Sequence, residues 1–384
     1  DYMMPEMDGA QTLKQLRKQE NGLCRDSAVI VLSANSAAEA AAKYLADGFD
    51  GYLEKPVQGL AMEAEILRFL PEDIIEYCAD KPEAEEKTEI RKTSRHKKRK
   101  IQITTDCVSD LPESLQDKYD IGMMYLYIKT ENGRFADTLE ISSDNLIQYM
   151  TETTSSARSD GVSVEEYEAF FADALTEAEQ IVHISIARNV GKSYEAAVGA
   201  AEGFDHVHII DSGQISCGQA LIVLYAGKMA MEGYSLQEIC DRVETMKKRV
   251  ESHYIMPSVQ IFAKRGFMKA TTARAYTFFG IHPVMKLSQS KMIVTGGRVG
   301  RMEGAWKRFI HWHLLNKERI NTDVVFLTHA GCSVEQQELI RHEVLRCVPF
   351  KRVIMQRTSV SIACNSGIGT FGMAYYRKTN EDKL

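Results

Sequence analysis

Several stretches of this chain carry residue types that could do chemistry, and their spacing decides which chemistry is open to them. Gly191-Lys192-Ser193 holds the Gly, Lys and Ser with which a phosphate loop cradles a nucleotide and its Mg²⁺, but that loop needs another Gly five residues before Gly191, where Ile186 stands. Nucleotide binding by this route is excluded. Gly367, Gly369 and Gly372 match the spacing of a dinucleotide turn, yet the sequence ends before the helix, strand and acidic ribose partner that such a turn requires. These glycines read instead as tight turns or as places where backbone passes close to a ligand. His311-Trp312-His313 offers imidazoles, but Phe309, Ile310, Leu314 and Leu315, flanked by Arg308 and Lys317, describe an amphipathic helix. The sequence holds no Ser/His/Asp order, carboxylate pair or metal-ligand spacing that assembles a catalytic centre. The chain is therefore expected to bind rather than to catalyse, with no metal and no cofactor. What remains are polar stretches rich in hydroxyls, among them Thr105-Asp106-Cys107-Val108-Ser109-Asp110 and Ser155-Ser156-Ala157-Arg158-Ser159.

The elements that position these stretches are legible in the apolar pattern. Ile101–Asp106, Ile181–Ala187, His206–Ser212, Val324–His329, Val353–Gln356 and Val360–Cys364 are short β-rich runs bounded by Gly, Ser or Asp. Between them, Ser163-x-x-Glu166, Ser235-x-x-Glu238 and Ser333-x-x-Gln336 are capping boxes that open segments of helical spacing, such as Tyr167, Phe170, Phe171 and Leu175. Strands alternating with helices predict an α/β protein with parallel sheets covered by helices. Residues 81–99 lose the apolar period and turn charged, which predicts a solvated linker, since such a stretch buries too little surface to offset its ordering entropy.

Composition narrows the function classes. The 384 residues suffice for two or three domains, and a formal charge of −6 gives no overall attraction to nucleic acid. Eight cysteines without a CxxC pair suggest neither a zinc framework nor a disulfide scaffold and fit reduced residues of a cytoplasmic protein. No apolar run reaches the roughly 18 residues of a membrane span.

Thr105-Asp106-Cys107-Val108-Ser109-Asp110-Leu111-Pro112 resembles the T-D-S-x-S-D-L-P opening of DegV-family proteins. Further matches follow in the family's order: Ser155 to Ser159 stands where T-S-Q-P-S is expected, and Ile209-Ile210-Asp211-Ser212 through Ser216 and Gly218 resembles I-D-S-x-x-x-S-x-G. Ile281-His282-Pro283-Val284 resembles I-K-P-I, and Asn365-Ser366-Gly367-Ile368-Gly369 resembles H-T-G-P-G. The resemblance implies a two-lobed α/β protein of the DegV-like (EDD) type, with lobes over 100–265 and 266–384. It implies a long acyl chain enclosed between them and a carboxylate held by a polar mouth. The ligand residues it implies are Ser155, Ser156, Ser159, Arg188, Ser193, Asn365, Thr105 and Asp106. The chain departs from the family where Ile186 to Tyr194 replaces I-S-S-x-L-S-G-T-Y, where Phe267 replaces an Arg, and where Asn365 replaces a His; Arg188 and Lys192 are candidates to restore the lost charge. The family includes the fatty-acid-binding subunits of bacterial fatty acid kinase, so the implied partners are a fatty acid and a separate kinase subunit.

Asp1-Tyr2-Met3-Met4-Pro5-Glu6-Met7-Asp8-Gly9 resembles the phospho-acceptor loop of a response-regulator receiver domain, and Tyr52 to Pro56 resembles its Y-x-x-K-P signature. The resemblance makes Asp1 the acceptor, Ser33 and Tyr52 the switch residues and Lys55 the phosphate-pairing cation, within an incomplete receiver-like segment over 1–80. Without the upstream acidic pair that holds Mg²⁺, this segment is expected not to be phosphorylated. The function expected is a fatty-acid carrier; the alternative is a sensor with a degenerate DegV-like domain under receiver control.

Overall fold

The computed structural model describes residues 9–18, 27–33, 43–54, 62, 65–69, 98–131, 133–143, 145–146, 157–259, 269–288 and 291–378. Asp1, Lys55, Ser155, Ser156 and nearly all of the 81–99 stretch lie outside them. The chain divides into two units, Asp1–Arg95 and His96–Leu384. In the first, Gly9–Lys18 forms helix α1, and strands Ile30–Ser33 (β1) and Gly51–Glu54 (β2) pair in parallel. Leu13, Val31, Tyr44 and Phe49 bury a small core under them. Asp50 accepts from Arg17 at 2.9 Å and from the Val29 amide at 2.7 Å, which fixes the entry to β2. Ser33 ends β1 opposite Glu54, and Tyr52 faces solvent on β2.

The second unit opens with strand Arg99–Asp106 (β3), helix Glu113–Tyr119 (α2) and strand Gly122–Met124 (β4). A small antiparallel sheet follows, in which Tyr127–Thr130 (β5) lies between Gly133–Ala136 (β6) and Arg158–Asp160 (β7). Helix Val164–Glu177 (α3), strand Ala178–Ser185 (β8), helix Ser193–Ala201 (α4) and strand Val207–Asp211 (β9) complete the first lobe, whose sheet runs β4-β3-β8-β9 with every pair parallel. The central strand β8 is nearly continuously buried, as a parallel strand covered on both faces must be.

Helix Cys217–Met231 (α5) leads out of that lobe, and helix Leu236–Lys247 (α6) follows it. The second sheet is built from Val250–Ile255 (β10), Ile281–Ser288 (β11), Lys291–Val299 (β12), Ile320–His329 (β13), Arg352–Arg357 (β14) and Phe371–Arg377 (β15), in the order β12-β11-β10-β15-β13-β14. The parallel expectation holds here only for β13 and β14; the other pairs are antiparallel, because β11 and β12 form a hairpin and β15 returns between β10 and β13. Strand β10, which precedes residue 265, belongs to this second sheet. The remaining helices are Ala270–Phe278 (α7), Met302–His313 (α8), Val334–Cys347 (α9) and Val360–Ser366 (α10). Val360–Cys364, expected as a strand, is therefore helical.

Helix α5 is buried almost all round, which a helix of such uniform apolarity requires. It lies between the sheets: Gln219 Nε2 reaches Thr105 Oγ1 on β3 at 3.0 Å, and Tyr376 on β15 donates to the Leu221 carbonyl at 2.6 Å. On the other face of the second sheet, Trp306, Phe309, Ile340 and Val344 of α8 and α9 pack on Val325, Phe371 and Met373. All three expected capping boxes, at Ser163, Ser235 and Ser333, are formed. Among the described residues no helix is long and apolar enough to cross a membrane.

Candidate functional site

The expected polar residues gather at the carboxyl ends of β3 and β8 and around α10, and the two groups do different things. Asp106 ends β3 fully buried. Its Oδ2 accepts from Ser185 Oγ at 3.0 Å and from the Ile186 amide at 2.7 Å; its Oδ1 accepts from the Tyr167 hydroxyl and lies 3.4 Å from His183 Nε2. Burial pushes the Asp106 carboxyl up, but His183, Tyr167 and Ile186 together outweigh it and hold it below the usual range. Thr105 donates to the Ile184 carbonyl at 2.7 Å. Both residues are thus engaged inside the lobe, where they lock β3 to β8 and α3. Ser193, buried at the first position of α4, lies beside Tyr167 behind the same carboxylate.

Arg188 is engaged as well. Its Nε donates to Asp211 Oδ2 at 2.6 Å, and its guanidinium sits 4.9 Å from the Tyr194 ring centroid. The exposed guanidinium braces the β8–α4 loop against β9. In that loop, Asn189 and Gly191 take positive φ values of 70° and 117°.

Around α10 the lobes meet. Asp137 Oδ1 accepts from the Val360 amide at 2.7 Å and its Oδ2 from the Ser361 amide at 2.8 Å. Asp110 Oδ1 accepts from the Ser359 amide at 2.7 Å, while its Oδ2 takes the Ser216 hydroxyl. Two carboxylates of the first lobe therefore satisfy the orphan amides at the start of a helix in the second. Burial pushes Asp110 up to about 7 and raises Asp137 too, against the pull of these donors. Ser216 itself is held at φ 52° and ψ −134°, a region that side chains seldom adopt, and its Oγ also lies 3.1 Å from Thr328 Oγ1. At the far end of α10, Asn365 Nδ2 donates to Ser159 Oγ at 3.1 Å and to the Ser361 carbonyl at 2.6 Å. Beneath that contact lies an apolar cluster of Ile128, Leu146, Ala157, Val360 and Cys364.

Residues 100–378 match the profile of the DegV family of uncharacterised proteins. The chain belongs to the DegV family. Residues 1–67 match the response regulator receiver domain. A DegV domain-containing protein of Clostridium perfringens is 22% identical over 293 residues, covering 74% of this chain and 99% of that protein. Among solved structures, a DegV family protein from Thermus thermophilus described by its fatty acid binding superposes with a TM-score of 0.66 at 22% identity, covering 73% of this chain and all of that one. The Streptococcus pneumoniae fatty acid kinase (Fak) B3 protein, loaded with linoleic acid, gives 0.63 at 16% identity and covers 73% and 100%.

Within this DegV fold, the expected ligand residues separate in space and role. Ser159 and Asn365 meet across the lobes, Arg188 turns to Asp211, and Thr105 and Asp106 brace the first sheet. Asp137 had no assigned role in the sequence. Its partners, Val360 and Ser361, lie 223 and 224 residues away, so no local pattern announced it. Asp110 stood in the opening motif, but its link to Ser359 is equally remote.

Proposed function

We propose that this DegV-family chain encloses a long-chain fatty acid or similar amphiphile between its lobes and presents the carboxylate to a separate fatty acid kinase subunit, as a carrier in the bacterial cytoplasm rather than as a catalyst. The observation that carries the proposal is the Ser159–Asn365 hydrogen bond, which joins two family motifs 206 residues apart beside an apolar cluster. Asn365 donates to Ser159 Oγ, so the Ser159 hydroxyl proton is left to point at a carboxylate. Ser155 and Ser156 precede it in the same motif and are proposed to share the headgroup. The energetics suit such a division: each buried methylene contributes about 0.8 kcal/mol, while a carboxylate drawn out of water must find donors. The fatty acid binding described for the Thermus protein and the linoleic acid of the Streptococcus protein support the ligand class.

Native mass spectrometry of the protein purified from bacterial cells, together with thermal shift on added oleic acid, tests the proposal. A co-purifying amphiphile and a saturable rise in melting temperature are expected; neither appearing ends it. Ser159→Ala is expected to weaken binding about tenfold, the worth of one hydrogen bond to a charged group. A second reading, a sensor whose degenerate DegV-like domain is controlled by the receiver-like unit, draws on the match over residues 1–67.

A further inference from the structure

His282 is the second residue of strand β11 and stands where the family's I-K-P-I motif carries a Lys. The exchange puts here the side chain whose charge changes between about pH 5 and 8, in place of one that stays charged there. Its surroundings make that charge matter. Nδ1 lies 3.0 Å from the Pro257 carbonyl, just past β10, and Nε2 lies 2.7 Å from the Gly300 carbonyl, in the turn between β12 and α8. A carbonyl oxygen only accepts, and a neutral imidazole carries one N–H and one bare nitrogen. Both contacts are therefore hydrogen bonds only in the imidazolium. In the neutral ring, one nitrogen lone pair faces an oxygen lone pair.

The two segments that the ring joins lie 25 residues before it and 18 residues after it. Each is anchored on its other side: the Met256 amide donates to the Pro283 carbonyl at 3.0 Å, and the Gly300 amide to the Gly280 carbonyl at 3.3 Å. Gly300 holds φ at 103°, which other residues seldom adopt, so a glycine turn sets the direction of the carbonyl that His282 meets. A cavity of about 270 Å³ opens beside the ring, with Pro257, Ser258, Tyr276, Thr277 and Gly280 in its walls. Arg298 stands directly across from His282 in the β11–β12 pair, and Arg308 of α8 donates to the neighbouring Val299 carbonyl. Arg301, next to Gly300, is exposed. From α7, Tyr276 is the titratable group in the cavity wall; Pro257, Ser258 and Val259 at the exit of β10 bring none. No carboxylate is among the described residues that line the cavity, so the acceptors that face the imidazolium there are its two carbonyls.

We infer that His282 is a proton-operated latch: protonated, it ties the exit of β10 to the β12–α8 turn beside this cavity, and on losing its proton it lets one of the two go. Acid closes the latch and a rise in pH loosens it. A Lys at the same place stays charged throughout that range, so the sensitivity belongs to this chain's departure from the motif. The latch acts without a bound ligand and so stands apart from the acyl-carrier reading.

In the full chain with ¹⁵N-labelled histidines, the His282 ring resonances are assigned by their loss in His282→Lys. They are expected to report two protonated nitrogens at about pH 5.5 and one at about pH 8.5. Hydrogen exchange at the Met256 and Gly300 amides, corrected for its intrinsic rate, is expected to quicken about tenfold over the same rise, the effect of losing one hydrogen bond to a charged group. In His282→Lys both amides are expected to exchange slowly at either pH, and in His282→Leu quickly at either. A ring that keeps one bare nitrogen at about pH 5.5, or stays doubly protonated at about pH 8.5, overturns the inference. So does corrected exchange that is the same at both pH values, or a Lys variant as pH-sensitive as wild type. If the Leu variant does not fold, the ring titration and the Lys variant decide.

Discussion

Ser216 shows at the scale of one residue why a short motif is so demanding. It sits at φ 52° and ψ −134° with its Oγ shared between Asp110 and Thr328, so a strained backbone is retained by side-chain bonds that reach both lobes. Ser216→Ala keeps the strain and removes the bonds, leaving Asp110 short of a donor, and is expected to cost about 2–3 kcal/mol in urea unfolding. Ser216→Gly relieves the strain as well and is expected to cost less. If the two variants unfold alike, the backbone strain is not stored there. Asp110 makes a related prediction with pH. Its carboxyl is pushed up to about 7 by burial, so the folded protein holds this proton more tightly than the unfolded chain does. The associated stability is complete below the ordinary carboxylate range and is lost as pH rises through about 7, with a slope of up to about 1.4 kcal/mol per pH unit for one proton. Asp110→Asn cannot titrate, so wild type is expected to lose stability relative to that variant between about pH 4 and pH 7. Asp106, held low, acts in the opposite sense, its contribution being lost only as acid protonates it.

At the scale of elements, α10 decides how the lobes are joined. Asp137 accepts two of its first amides, and each such bond to a charged acceptor contributes about 1.5–3 kcal/mol. Asp137→Ala should therefore destabilise by about 2 kcal/mol or more, compared with about 1 kcal/mol for Ser163→Ala at the cap of α3, both read by urea unfolding. Because α10 also carries Asn365, the Asp137 variant is expected to lose affinity for oleic acid, whereas the Ser163 variant keeps it. The same contrast explains what the sequence could reveal. The boxes at Ser163, Ser235 and Ser333 are closed by residues three positions on, so they were legible. The cap of α10 comes from carboxylates more than 200 residues away, and Val-Ser-Ile-Ala-Cys alone is a short apolar run that suits strand or helix equally. The candidate site divides along the same line. The hydroxyl motifs were visible, but Arg188 was not seen to be matched with Asp211, nor Asp106 with Tyr167, because those partners meet only when the sheet is assembled.

At the scale of the molecule, the two units differ in what they can bury. The second has α5 between two sheets and extensive cores on both sides of the larger one, whereas the described core of the first is Leu13, Val31, Tyr44 and Phe49 with a few neighbours. The two units should therefore respond separately to heat and protease. Trypsin has its sites in Arg91, Lys92, Arg95 and Lys97, ahead of the point where Lys98 donates to the Leu175 carbonyl at 2.6 Å and Arg99 pairs with Asp120. Brief digestion is expected to leave a fragment beginning near residues 96–98, identified by its intact mass. Its melting temperature and its shift with oleic acid should equal those of the main transition of the full chain, because every residue proposed to hold the acyl ligand lies beyond the cut. A fragment that keeps its fold but loses the oleic acid response would show instead that the receiver-like unit takes part in ligand capture, and would favour the receiver-controlled sensor over the simple carrier.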